Sequence, residues 1–112
     1  MSFEKLGLEK SLLKALADQG YTEPTPIQQS TIVPVLEGKD VMATAQTGTG
    51  KTAAFTLPLL QLLQQASGDR SKPRALIVTP TRELAAQVLA SINTYGKYLP
   101  LKAMAVYGGE KI

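Results

Sequence analysis

The sequence predicts an α/β fold in which helices cover a parallel sheet. Short apolar runs alternate with segments of helical periodicity, and the connections between the runs are long enough for crossovers. Such crossovers are right-handed. A turn segment follows the carboxyl end of each predicted strand, which is where ligands bind in parallel sheets. We therefore expect one face of the sheet to gather the functional residues.

The first two segments predict helices. Leu8, Leu12 and Leu16 recur at four-residue spacing, and Gly20 follows as a stop signal. A second helix is expected to begin at the capping residue Thr25, with proline at its first position, and to end before a glycine at position 38.

The rest of the chain alternates strands and helices. Strands are predicted over 40–44, 74–78 and 101–107, the second of them apolar enough to be buried on both faces. Between them, a helix runs toward residue 65 with Pro58 inside it, which removes an amide donor and should bend the helix. After a polar loop over 66–73, an apolar helix face is formed by Leu84, Val88, Ile92 and Tyr95.

Residues 45–52 carry the most informative motif. Here a glycine-rich turn between a strand and a helix can aim backbone amides and a helix dipole at a nucleotide phosphate. The glycines keep side chains out of the way, Lys51 reaches the terminal phosphates, and Thr52 offers a hydroxyl to Mg²⁺. An ordinary turn is the alternative, and the strand-loop-helix context argues against it. The predicted phosphate loop consists of Ala45, Gln46, Thr47, Gly48, Thr49, Gly50, Lys51 and Thr52, with alanine where the general pattern has its first glycine.

Composition limits the other possibilities. The chain has 112 residues, 44% of them hydrophobic, and a net charge of +3. That length suits one domain or part of one. With no cysteine and no histidine, disulfides, thiolate metal sites and imidazole catalysis are excluded. No signal peptide or membrane-spanning run is present in the sequence, so we expect a cytoplasmic protein with no membrane partner.

Several motifs match one family in order and spacing. They are Gly20-Tyr21 with 24–28, the phosphate loop at 45–52, the segment 80–87 (PTRELAAQ) and the pair Gly108-Gly109. The chain resembles the first RecA-like domain of a DEAD-box ATP-dependent RNA helicase from Phe3 to this glycine pair. Among bacterial members it is most similar to the RhlE-type proteins. The family's own phosphate loop begins with alanine, as it does here.

The resemblance implies an adenine site. Gln28 would read the edge of the base, Tyr21 would pack on the ring, and Phe3 would support the segment. An amide matches adenine because it offers a donor beside an acceptor. From the residues alone, the capping box with Thr25 is the favoured interpretation of Gln28, and the two aromatic side chains are ordinary core residues. The resemblance reverses the preference for Gln28.

The resemblance also implies contacts to the RNA backbone by Pro80, Thr81, Arg82, Gly108 and Gly109. A helix N-terminus with a guanidinium binds phosphate without reading bases. From the residues alone, Thr81 is a helix cap and the glycine pair is a turn.

The resemblance divides the chain into an adenine-recognition (Q motif) segment over 1–38 and a partial RecA-like domain over 39–112. ATP or ADP and Mg²⁺ are the implied cofactors, and RNA and a second RecA-like domain the implied partners. The family's Asp-Glu-Ala-Asp strand does not occur in the sequence. We therefore expect an amino-terminal fragment that is inactive alone, from a parent that is an RNA-stimulated ATPase. A different P-loop enzyme, or a nucleotide-binding module without helicase activity, is the alternative.

Overall fold

A computed structural model describes residues 2–42, 50–65 and 72–106 of the chain. Within these ranges lie a 3-10 turn over Phe3–Leu6 and four helices: α1 (Lys10–Asp18), α2 (Pro26–Leu36), α3 (Lys51–Gln65) and α4 (Arg82–Tyr95). α2 packs against α3, α3 against α4, and α1 against α4. The helices predicted from the sequence are all present.

The first helical segment is shorter than its leucine spacing suggested. The 3-10 turn ends at Gly7, whose φ of 88° reverses the chain, and α1 begins only at Lys10. Leu8 therefore lies between the two elements, yet it is buried together with Leu12 and Leu16. The predicted apolar face is present, and its first residue, Leu8, lies in the connection between the 3-10 turn and α1.

Two helices contain an internal proline. α2 continues through Pro34, and α3 continues through Pro58, which is fully buried. Proline leaves one carbonyl in the preceding turn without its amide partner. Packing of the two helices against each other offsets the lost hydrogen bonds, since tertiary packing supplies most of the stability of helices in proteins.

An apolar cluster of described residues joins the helices. It includes the fully buried side chains of Leu12, Ile32 and Leu57, one each from α1, α2 and α3. Phe3 and Tyr95 belong to the same cluster, so the amino terminus and the end of α4 share one core.

The predicted strands are not paired in the part of the chain that the structure describes. Residues 39–42, 72–79 and 101–106 form neither helix nor strand there. Leu76 and Val78 are 87% and 83% exposed, so the prediction that 74–78 is buried on both faces of a sheet is wrong for the described residues, and Met104 in the third segment is 72% exposed. The physical reason is that a helix satisfies its hydrogen bonds internally, whereas a strand needs at least one paired neighbour.

Gln61 ties α3 to the amino-terminal turn. Its Oε1 accepts a hydrogen bond from the amide of Glu9 at 2.7 Å, and its Nε2 donates to the carbonyl of Gly7 at 2.8 Å. The side chain is buried. One amide therefore holds both ends of the connection between the 3-10 turn and α1.

A surface cluster, the Asp18 clasp, joins the end of α1 to the residues after α4. Asp18 accepts hydrogen bonds from Tyr98 and from Lys97, whose Nζ lies 2.8 Å away. Lys14 Nζ lies 4.4 Å from the centre of the Tyr98 ring, a cation–π geometry. These contacts fix the carboxyl-terminal end of α4 from the outside.

None of the helices in the described ranges combines the length and apolar character needed to cross a membrane.

Replacing Gln61 with Leu should lower the free energy of unfolding by about 1–3 kcal/mol, because the Gly7 carbonyl and the Glu9 amide lose their partner. Gln64→Leu is the matched control on the same helix. Gln64 Oε1 is buried and makes no hydrogen bond within the described residues, so this change should be neutral or stabilising. Urea unfolding of the full-length variants measures the difference, and equal losses would contradict the role given to Gln61.

The Asp18 clasp should stabilise the fold only at pH values where Asp18 is ionised and Lys97 and Tyr98 keep their protons. Hydrogen bonds from Lys97 and Tyr98 hold the pKa of Asp18 below 3.8, so its contribution is present above that pH and is lost as the pH falls through the lowered pKa. The bond to Asp18 raises the pKa of Lys97 above 10.5 and that of Tyr98 above 10.0. Their contributions are lost as the pH rises through these raised values.

The test measures the melting temperatures of Asp18→Asn and of the unsubstituted protein from strongly acidic to strongly alkaline pH. The difference should be largest near neutral pH, disappear in strong acid, and shrink in high salt because the groups are exposed. Glu37→Gln is the control, since Glu37 forms an exposed ion pair with Lys39 away from the clasp. A difference that is independent of pH would contradict the electrostatic origin.

Candidate nucleotide-binding site

A cavity of about 160 Å³ brings together residues from both ends of the chain. Two of the predicted adenine-site residues, Tyr21 and Gln28, line it, as does Phe3, which was expected to support them. Among the described residues, the lining consists of Phe3, Tyr21, Glu23, Thr25, Gln28, Gly50 and Tyr95.

The side chain of Gln28 connects two parts of the cavity wall through hydrogen bonds. Its Oε1 accepts from the backbone amide of Thr25 at 2.9 Å, and the Thr25 hydroxyl accepts from the Gln28 amide at 3.4 Å. This is the capping box that the sequence allowed. In addition, Gln28 Nε2 donates to the carbonyl of Gly50 at 3.2 Å, a contact that the sequence did not predict. Gln28 thus links the start of α2 to the residue before α3.

Gly50 is suited to this position for two reasons. Its φ is 84°, a region that side chains disfavour. A Cβ at this residue would also clash with the amide group of Gln28 and would lie 3.1 Å from the Thr25 hydroxyl. The Gly50 carbonyl accepts from both Gln28 Nε2 and the amide of Ala54, at 3.0 Å in the second case.

α3 begins directly beside the cavity. Lys51 is its first residue and is exposed, and Thr52 is partly exposed. The first four amides of a helix have no partner within it and carry the positive end of the dipole. Of the predicted phosphate loop, Gly50, Lys51 and Thr52 are described, and Ala45, Gln46, Thr47, Gly48 and Thr49 lie outside the described residues.

A larger cavity of about 260 Å³ lies between α2 and α3. Its walls are mainly apolar, from residues such as Ile27, Val35 and Phe55, and Lys51 is its charged member. Apolar walls do not suit phosphate, so this cavity is a poor candidate for the phosphates. The smaller cavity is the better candidate for a nucleotide base because Gln28 and Tyr21 line it.

The predicted RNA contacts lie at the other end of α4. Thr81 caps this helix, with its hydroxyl accepting from the amide of Leu84 at 3.1 Å. Pro80, Thr81 and Arg82 are all exposed. Gly108 and Gly109 lie outside the described residues. The cap is confirmed, and the contact with RNA stays a prediction.

Sequence reasoning did not predict Glu23, Thr25 or Tyr95 as residues of the cavity. Tyr95 was expected only as part of an apolar helix face, yet it lines the cavity together with Tyr21. Burial, followed by the nearby Tyr21, raises the pKa of Tyr95 to about 12, so its hydroxyl stays neutral at physiological pH. Helical spacing alone gives a core position and does not indicate which cavity that core borders.

No three His, Cys, Asp or Glu side chains within 2–42, 50–65 and 72–106 come together as a potential metal site.

Comparison with known proteins identifies the family. A family model described as DEAD/DEAH box helicase matches residues 25–112. The chain is 48% identical over 111 residues to the DEAD-box ATP-dependent RNA helicase RhpA of Helicobacter pylori, covering 99% of this chain and 22% of that protein. It is 49% identical over 112 residues to the ATP-dependent RNA helicase CshA of Limosilactobacillus reuteri, covering 100% of this chain and 22% of that protein.

A solved structure of a helicase is also similar to this chain. The RNA helicase Prp28 from Chaetomium thermophilum, bound to ADP, matches with a TM-score of 0.88 at 38% identity, covering 98% of this chain and 27% of that one. This likeness confirms the predicted RecA-like fold class. The chain spans about a fifth of the length of the two curated relatives. Because the family model covers well over half of its residues, the chain belongs to the DEAD/DEAH box helicase family.

Proposed function

We propose that the protein containing this chain is an ATP-dependent RNA helicase whose ATPase activity is stimulated by RNA. Gln28 carries the proposal, since it borders a cavity suited to a base and contacts the residue before α3. The curated relatives are named as RNA helicases. The Prp28 structure contains ADP, which supports an adenine nucleotide here.

The hydrogen bonds of Gln28 leave capacity for an adenine base. A side-chain amide has two N–H donors and two acceptor lone pairs. Gln28 uses one donor on Gly50 and one lone pair on Thr25. The remaining donor and acceptor match adenine N7 and N6, and mismatch the two acceptors of guanine. Gln28 can therefore serve as cap, link and base-reading residue at the same time, and the two interpretations of the sequence are compatible.

The phosphates would be held at the start of α3. The proposed contacts are the backbone amides of 45–50, the dipole of α3 and the side chain of Lys51. Mg²⁺, when bound with the nucleotide, neutralises charge on the phosphates, and Thr52 would hold it. Lys51 and Thr52 would thus be the catalytic residues that this chain contributes.

RNA would be bound through its backbone. Thr81 and Arg82 start α4, where a helix N-terminus and a guanidinium favour phosphate and read no sequence. Gly108 and Gly109 would add contacts to the RNA backbone, because a residue without a side chain lets the protein approach the RNA strand closely. A second RecA-like domain would complete the RNA and ATP sites. The division at residues 38 and 39, the RhlE-type subgroup and a cytoplasmic location are further parts of this proposal.

Replacing Lys51 with Ala should weaken ATP binding by about one to two decades, because a charge-assisted contact worth ~1.5–3 kcal/mol is lost. Lys10→Ala is the matched control, since Lys10 is also an exposed first residue of a helix. Titration of the full-length variants with a fluorescent ATP analogue gives both affinities. Unchanged binding in Lys51→Ala would refute the phosphate-loop assignment.

Replacing Gln28 with Ala should abolish the preference for ADP over GDP and lower stability by about 0.5–2 kcal/mol through loss of the cap. Gln29→Ala is the control on the neighbouring residue, because Gln29 Nε2 also makes a backbone hydrogen bond, to Pro24 at 3.0 Å, and does not line the cavity. Calorimetric titration with both nucleotides, together with melting curves, separates the two effects. If Gln28→Ala loses stability and keeps the base preference, Gln28 is a cap only.

A further inference from the structure

Gln61 anchors the segment that forms one wall of the cavity of about 160 Å³. Its Oε1 accepts from the amide of Glu9 at 2.7 Å, and its Nε2 donates to the carbonyl of Gly7 at 2.8 Å. The 3-10 turn over Phe3–Leu6 directly precedes Gly7, and Phe3 lines the cavity. One side-chain amide of α3 therefore holds the turn that supplies an aromatic wall of the proposed base site.

The hydrogen bonds at the two ends of this turn are longer than those of Gln61. The amide of Lys5 donates to the carbonyl of Ser2 at 3.2 Å. The amide of Gly7 donates to the carbonyl of Glu4 at 3.4 Å, and the Ser2 side chain makes no cap hydrogen bond. Short 3-10 turns have poorer hydrogen-bond geometry than α-helices. The turn therefore depends on a contact from outside to fix its position.

Apolar contacts bury the turn without fixing its orientation. Phe3 and Leu6 are each 5% exposed and belong to the apolar cluster. The hydrophobic effect is non-directional, whereas a hydrogen bond weakens steeply when its angle becomes unfavourable. The orientation of the Phe3 ring at the cavity therefore depends on the two directional bonds of Gln61.

We propose that Gln61 is a positioning residue for nucleotide binding, which holds the Phe3 ring in place as a wall for the adenine base. This inference rests on the proposed adenine site. A side chain already held in its bound orientation loses less conformational entropy when the base arrives. Gln61 does not line the cavity, so it increases the affinity for the base portion of the nucleotide without touching the nucleotide.

The first test compares Gln61→Leu with two control variants in the full-length protein. Gln64→Leu is the matched control on α3, because the buried Oε1 of Gln64 makes no hydrogen bond within the described residues. Val88→Ala is the control for a general loss of stability, since Val88 is buried on α4 and does not line the cavity. Calorimetric titration measures the binding of ADP and of inorganic tripolyphosphate, which has no base.

Gln61→Leu should weaken ADP binding about two- to tenfold, the effect of having to order one more side chain on binding, and should leave tripolyphosphate binding unchanged. Both controls should bind both ligands as the unsubstituted protein does. Unchanged ADP affinity in Gln61→Leu would overturn the proposal. Equal losses for ADP and tripolyphosphate, or the same loss of ADP affinity in Val88→Ala, would also overturn it, because Gln61 would then act on stability alone.

A double-mutant cycle tests whether Gln61 acts through Phe3. Phe3→Leu keeps an apolar side chain in the core and removes the aromatic ring from the cavity wall. In this background Gln61→Leu should cause no further loss of ADP affinity, because the ring that it positions is gone. Additive losses would show that Gln61 acts by another route, which contradicts the proposal.

Hydrogen exchange decides the question in the unsubstituted protein, even if Gln61→Leu does not fold. By reciprocity, a contact that favours ADP binding is itself favoured when ADP is bound. At equal multiples of the two dissociation constants, the peptide containing the Glu9 amide should gain about two- to tenfold more protection with ADP than with tripolyphosphate. The control peptide contains the Ala85 amide, which donates to Thr81 at the start of α4, and should gain equal protection with both ligands. Equal protection at Glu9 would overturn the proposal.

Nucleotide preference distinguishes failure of this inference from failure of the proposed function. An unsubstituted protein that does not prefer ADP over GDP has no adenine site of the kind proposed, which overturns both. If Gln28→Ala abolishes a clear preference and Gln61→Leu keeps full ADP affinity, only the role of Gln61 is overturned.

Discussion

The hydrogen bond from Gln28 to the Gly50 carbonyl is the interaction on which this site depends. It joins the first turn of α2 to the residue that starts α3, and these two helices form the main packing contact of the structure. Because Gly50 has no side chain, the amide of Gln28 can approach its backbone closely. Gln28 and Gly50 therefore link the cavity of about 160 Å³ to the N-terminus of α3.

Buried side-chain amides connect the structural elements of this chain, a role that charged groups or disulfides have in other proteins. Gln28 and Gln61 are both buried, and each bonds to backbone groups in two places. Gln28 connects α2 to α3, and Gln61 connects α3 to the turn that carries Phe3. An amide can donate and accept at once without bringing a charge into the core, so it avoids the desolvation penalty of a buried ion. Both ties are independent of pH and of redox state.

The sequence predicted those features that depend on neighbouring residues. The caps at Thr25 and Thr81 follow from residues three positions apart, and the helices follow from periodicity. The contacts of Gln28 with Gly50 and of Tyr95 with the cavity join residues distant in the chain, and no local pattern encodes them. The predicted strands are unpaired among the described residues for a related reason, since apolar runs predict the capacity to pair and the partners decide whether pairing occurs. The residue roles proposed above come from the family resemblance and not from spacing.

The exposed side chains of Leu76, Val78 and Met104 have a consequence for solubility. The helices pack on one another through a shared core without any strand ladder among the described residues, so these three apolar side chains are left in contact with solvent. Apolar side chains exposed in this way are sites at which other chains can associate, and they make aggregation the main hazard for this chain at high concentration.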